Sequence, residues 1–124
     1  MVNVSISIDV PGLNDWEAFY CGALGCKLIE NGTEGIRILD AGNVRLYLLE
    51  RVEGSIPFEG SRSGRSYDRH WSPIHLDFGT KEIAALESLV EQHGGAIEGR
   101  DTGDWGSIAY CVDPFGNGFC LIDE

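Results

Sequence analysis

The side chains best suited to chemistry sit in two short stretches, "IHLDFG" (residues 74–79) and "FGNGFCLIDE" (residues 115–124). The first places His75 and Asp77 two residues apart, so on a strand both point to one face. An imidazole and a carboxylate are a base and its orienter, although i and i+2 side chains can share a face without touching. The second stretch carries Cys120, whose thiolate would be a soft metal ligand. One imidazole and one thiolate make two ligands, short of the three or four that a metal site uses. A buried, inert thiol is the plainer reading of Cys120, and a hydrogen-bonded pocket residue the plainer reading of His75. The expectation here is a ligand-facing His75. His70 and His93 fall in a linker and at a helix end and read as exposed.

Tyr110 precedes the Asp113–Pro114 turn by three residues and alternates with Ile108 and Val112 on one strand face. Small Ala109 and Cys111 take the other face, where a helix can approach. Aromatic rings with a few polar groups suit a flat or amphipathic ligand. Tyr110 and Tyr47 flanking His75, with Trp105 near the rim, would make such a site. Tyrosines that fill the core with a bonded hydroxyl are the equal alternative.

The chain has 124 residues, nine Lys and Arg against twenty Asp and Glu, and a net charge of −11. That length supports one domain, residues 1–124. The negative field repels nucleic acid and anionic membrane surfaces and attracts cations, though it also serves solubility alone. No apolar run approaches the ~20 residues of a bilayer span, and the N-terminus lacks a signal-peptide pattern. The cytoplasm is the expected compartment, with Cys21, Cys26, Cys111 and Cys120 as free thiols.

The elements that must position these groups appear twice. "NVSISIDV" alternates, with Val4, Ile6, Ile8 and Val10 on an oily face and Ser5, Ser7 and Asp9 on a polar one. A helix capped by Asn14 or Asp15 follows, presenting Trp16, Phe19, Tyr20 and Ala23 and ending at Gly25. Strands "CKLIEN", "GIRILDA" and "NVRLYLLE" come next, joined by the turn signals "NGTE" and "AGN". Residues 51–72 have no clean period and read as a linker or flap. Arg62, Arg65 and Arg69, interleaved with Tyr67 and Trp71, would make it a lid or an arm toward a partner. Then strand "SPIHLDFG", a Thr80-capped helix with Ile83, Leu86, Leu89 and Val90, and strands "AIEGRDT", "GSIAYCV" and "GFCLIDE" repeat the order. The expected architecture is α+β: two βαβββ modules, residues 1–50 and 73–124. They would form a curved mixed sheet around a cleft, with helices on the outer face.

"VPGLNDWEAFYCGALGCKLIE", "IHLDFG", "HGG" and "DPFGNGFCLIDE" together resemble the vicinal oxygen chelate superfamily, which includes glyoxalases, extradiol dioxygenases and bleomycin-resistance proteins. The resemblance covers nearly the whole chain and implies a homodimer. Enzymes of that group hold a divalent metal with mostly His and Glu, two from each module. Carried onto this sequence, those positions are Ser5, Tyr47, His75 and Cys120. Ser and Tyr are poor ligands for Mg²⁺, Mn²⁺ or Zn²⁺ at neutral pH, so the resemblance with this departure implies no standard metal cofactor. The expected function is binding of a small cationic or aromatic molecule by Ser5, Ser7, Tyr47, His75, Asp77, Trp105, Tyr110 and Cys120. The alternative is a metal-dependent lyase, isomerase or dioxygenase anchored on His75, completed by Cys120 or Asp77.

Overall fold

A computed structural model describes residues 1–30 and 33–124 of the chain. Its first half runs β1 (Ile6–Val10), α1 (Leu13–Gly22), β2 (Lys27–Glu30), β3 (Ile36–Asp40) and β4 (Arg45–Glu50). Its second runs β5 (Asp77–Thr80), α2 (Ile83–Gln92), β6 (Ala96–Gly103), β7 (Gly106–Val112) and β8 (Gly118–Asp123). Each half makes a four-stranded mixed sheet, ordered β1-β4-β3-β2 and β5-β8-β7-β6. In each, the first strand runs parallel to the last, and hairpins join the rest. This is the α+β fold with βαβββ modules that the repeated pattern anticipates.

Alternation sets which side chains face inward. Val10, Leu46, Leu48 and Leu39 are buried beneath α1, while Ser7 pairs with Tyr47 on the opposite face. The register that keeps Leu46 and Leu48 under the helix and turns Tyr47 away is therefore the one observed. Helix α1 buries Leu13, Trp16, Phe19 and Tyr20, the stripe expected from a 3.6-residue period. Its rings also reach the second module. Trp16 stacks on Phe115 with ring centroids 4.5 Å apart, and Phe19 meets Phe119 edge to face at 5.9 Å. One hydrophobic core thus joins both halves.

Several local expectations are corrected. The first strand begins at Ile6, leaving Asn3, Val4 and Ser5 outside it. Gly12, not Asn14 or Asp15, occupies the cap of α1, and no side chain caps it. At the second helix the cap is Glu82, whose backbone N–H donates to Thr80 Oγ1 at 2.9 Å, so Thr80 braces the approach from two residues before the cap. The strand expected from Ser72 starts only at Asp77, and His75 precedes it by two residues. His93 is half-buried rather than exposed, its Nδ1 2.9 Å from the Leu89 carbonyl oxygen. Asn31 and Gly32, half of the first expected hairpin turn, lie outside the described residues.

Candidate functional site

Register assembles the centre of the site. Asp77 on β5 pairs with Cys120 on β8, and Cys120 pairs in turn with Tyr110 on β7. These three therefore form one row across the sheet, on the face opposite core residues Phe78, Leu121 and Ala109. Just before β5, the Cys120 N–H donates to the Leu76 carbonyl at 2.9 Å, which fixes His75 beside the row. His75 Nδ1 lies 3.1 Å from Asp77 Oδ1 and 3.9 Å from Cys120 Sγ. One donor atom from each of the three lies within 4.8 Å of the others. The sequence left contact between His75 and Asp77 open; here the two touch.

The electrostatics of Cys120 disfavour the thiolate. Burial, then the neighbouring Asp77 charge and its hydrogen bond, push the Cys120 thiol up to about 11. At neutral pH the thiol stays protonated and a poor nucleophile. Cys26 and Cys111 are likewise raised, chiefly by burial, and all four cysteines are unpaired.

The linker, read from the sequence as a lid or an arm but not among the site residues, supplies one residue to the site. The second part of the 51–72 linker, from Arg65 to Trp71, is tied to the two modules. Arg65 Nε bonds Asp9 Oδ2 at 2.7 Å, and Tyr67 donates its hydroxyl to the Arg51 carbonyl at 2.9 Å. His70 makes a backbone bridge with Asn117 beside β8. Trp71 is thereby laid over the row, edge to face with His75 at 5.8 Å and with Tyr110 at 6.1 Å. Its indole Nε1 donates to Glu98 at 3.1 Å, and the Arg69 guanidinium, ion-paired to Glu98, sits 5.2 Å from its ring. Gly118 makes room: a β-carbon there would lie 2.5 Å from the indole. The signal in the sequence was Gly118 two residues from Cys120, a gap on a strand face that a ring can fill.

The other expected residues divide. Ser7 lines a cavity of about 400 Å³ together with His75, Asp9, Arg65, Tyr67 and Leu76, at the junction of the modules. Ser5 and Tyr47 line a separate groove with Asn3, Asp40 and Arg45. Trp105 is 60 % exposed at the β6–β7 hairpin, where it contacts Gly103 and not the His75 group. Thus His75, Asp77, Cys120 and Tyr110 come together, Ser7 adjoins them across the junction, and Ser5, Tyr47 and Trp105 stand apart.

The model of the glyoxalase-like domain matches residues 5–122. The chain belongs to this family, within the vicinal oxygen chelate superfamily. Among solved structures it is similar to hypothetical protein SA1046 from S. aureus, at 19 % identity over 100 % of this chain and 95 % of that one, TM-score 0.80. It is similar to the fosfomycin resistance protein FosX from Listeria monocytogenes, at 15 % identity over 100 % and 93 %, TM-score 0.73. It is also similar to lactoylglutathione lyase from Agrobacterium tumefaciens, at 16 % identity over 98 % and 92 %, TM-score 0.67. At these identities the likeness is one of fold. Comparison with curated proteins gives no match.

Members of the superfamily often use a divalent metal. The donors present do not fit a hard-cation site of the family type. Ser5 and Tyr47 lie in a different groove from His75, and the remaining set of imidazole, carboxylate and thiol is soft and mixed.

Proposed function

We propose that this glyoxalase-like protein binds a small organic molecule on the open face of its second sheet. Trp71 and Tyr110 would form the walls, and His75, Asp77 and Cys120 the floor. The observation that carries this reading is the edge-to-face group of Trp71, His75 and Tyr110 held over that floor. Rings with polar groups between them bind flat or amphipathic molecules. The carboxylate of Asp77, half-exposed beside the rings, and the −11 net charge favour a cationic ligand with aromatic character. A homodimer belongs to the same reading: Trp71, Ile74 and Tyr110 leave an exposed apolar area around the site that a second copy would cover. So does a cytoplasmic setting, which suits four unpaired thiols. No helix among the described residues is long and apolar enough to cross a membrane.

The test is indole fluorescence titrated with an aromatic ammonium compound and its neutral isostere. The cation should quench wild-type emission at lower concentration, and Trp71→Phe should remove that response. Equal response to both compounds, or quenching untouched in Trp71→Phe, would count against the reading.

A second reading, a metal-assisted lyase, isomerase or dioxygenase anchored on His75, draws on one observation, the approach of Asp77 and Cys120 to the same imidazole nitrogen. Turnover that needs an added divalent ion and disappears in His75→Ala would decide for it.

A further inference from the structure

The rings of the proposed ligand site already hold a cation of the protein's own. The Arg69 guanidinium lies 5.2 Å from the centroid of the Trp71 ring, within reach of a cation–π contact. It also forks onto Glu98: Nε donates to Oε2 at 2.5 Å, and Nη2 pairs with Oε1. Trp71 Nε1 donates to the same Oε1 at 3.1 Å. One carboxylate thus sets an indole and a planar nitrogen cation against each other. Two N–H groups on two carboxylate oxygens is a pattern that a guanidinium makes and a compact ammonium does not.

A defect in strand pairing carries Glu98 to this place. The register runs from Ile97 opposite Cys111 to Gly99 opposite Tyr110, so Glu98 is the extra residue of a bulge in β6. Bulges re-aim side chains and recur beside functional sites. The Tyr110 ring lies over Gly99, 3.6 Å from where a β-carbon would stand. Glu98 therefore bonds one wall of the ligand site and adjoins the residue beneath the other.

The hold on Arg69 is weak enough to exchange. The Arg69 and Glu98 side chains are 33 % and 35 % exposed, and an ion pair this open to solvent contributes little. The linker does not depend on it. His70 fixes the backbone there, its N–H donating to the Gly116 carbonyl at 2.9 Å and its carbonyl accepting from the Gly118 N–H at 3.1 Å. Arg69 also donates to that His70 carbonyl, which keeps its bond from Gly118 when the side chain leaves. Arg69 can therefore swing out while Trp71 stays.

We propose that Arg69 is an internal competitor for the ligand's cationic group. A ligand carrying a guanidinium or amidinium takes its place on Glu98 and against the Trp71 ring, and Arg69 turns out to solvent. No covalent bond changes; one forked ion pair replaces another. Apparent affinity is lowered by the fraction of molecules in which Arg69 fills the fork. Glu98 in turn selects planar, forked cations over quaternary ammonium ions, which have no N–H to offer.

This exchange rests on the reading that Trp71 and Tyr110 wall the ligand site, and it narrows the ligand from an aromatic cation to a planar nitrogen one. Benzamidine, an amidinium, and benzyltrimethylammonium are titrated by calorimetry and by Trp71 quenching. The proteins are wild type, Arg69→Gln, and Arg69→Gln with Glu98→Gln. Loss of the Arg69 charge relieves repulsion of both cations alike, so the readout is the ratio of their affinities. Arg69→Gln should raise the preference for benzamidine at least about fivefold, and adding Glu98→Gln should erase that rise. In wild type, the Arg69 Nε–H resonance, assigned by its loss in Arg69→Gln, should move to the position of a solvated arginine as benzamidine saturates. A ratio unchanged in Arg69→Gln, a rise that survives Glu98→Gln, or an Nε–H signal that stays in place at saturation overturns the exchange. Trp71 quenching by benzyltrimethylammonium in those samples then keeps the cleft without the exchange. Failure of both compounds to quench Trp71 removes the cleft and the exchange together.

Discussion

Tyr20 on helix α1 donates its phenolic hydrogen to Asp113 Oδ2 at 3.0 Å, joining the first module to the turn that closes the second. Asp113 is 2 % exposed and also accepts from the backbone N–H of Phe115 and Asn117 and from the Asn117 side chain. Removing it strands four donors, two of them in backbone that cannot turn away. Asp113→Ala should cost about 2–4 kcal/mol, read as a lower urea midpoint at unchanged slope. Burial raises the Asp113 carboxyl above its ordinary 3.8, against the pull of those donors. A raised carboxyl favours the folded state most at pH below 3.8, and that contribution is lost as pH rises through the raised value. The stability gap between wild type and Asp113→Asn should accordingly be wider at pH 3 than at pH 7.

The cysteines should react in an order set by burial. Cys21 is half-exposed, whereas Cys26 and Cys120 are held up to about 11 and Cys111 to about 12. Iodoacetamide at neutral pH should label Cys21 first, with the other three following only on unfolding, as mass spectrometry of timed aliquots would show. Thiols raised on folding stabilise the native state below the ordinary value of 9.0 and lose that effect as pH climbs toward 11. Melting temperature should fall across that alkaline interval, and less steeply in Cys26→Ala. A flat profile from pH 8 to 11 would contradict this.

Gly118 and Trp71 form a matched pair on the sheet. Gly118→Ala should lift the indole off His75 and Tyr110, because the added carbon would stand 2.5 Å from the ring. Trp71 is 41 % exposed and has room to swing outward, so the cost in stability should stay within about 1–2 kcal/mol. The aromatic cation should nevertheless bind at least about tenfold more weakly, which corresponds to loss of one well-placed ring contact. Unchanged affinity would show that the wall formed by Trp71 is not used.

Asp9 holds the linker through Arg65 at 2.7 Å, with both side chains partly sheltered. A lone ion pair of this exposure contributes about 0.2–1 kcal/mol, too little to see in global unfolding. Local opening is the sensitive measure. Asp9→Asn should speed tryptic cleavage after Arg62, Arg65 and Arg69 several-fold at unchanged melting temperature, with high salt doing the same to wild type.

The sheets could be read from the sequence because their information is local. Ile6, Ile8 and Val10, or Ala109 and Cys111, announce an inner face by alternation alone. His75, Asp77, Tyr110 and Cys120 fall on one face for the same reason once strand order is assumed. What the sequence withheld depends on contacts between distant segments. Nothing within 51–72 says that Trp71 stops over Cys120, because His70 is placed by a bridge to Asn117 and the indole by a missing side chain at Gly118. Helix caps misled for a related reason. Asn14 and Asp15 have the right chemistry, but burial of Leu13 pulls the first turn back to Gly12.

Helix α1 lends its rings to both sheets, so neither half of the polypeptide finishes its own interior. A backbone cut within residues 51–72 would yield two fragments of roughly 60 residues, each near the lower limit for independent folding. Apart, the N-terminal piece would lay Trp16 and Phe19 bare, and the C-terminal piece Phe115 and Phe119. Mixed, they carry complementary surfaces and every residue of the His75 group on one side of the break, which makes the nicked molecule a natural split reporter.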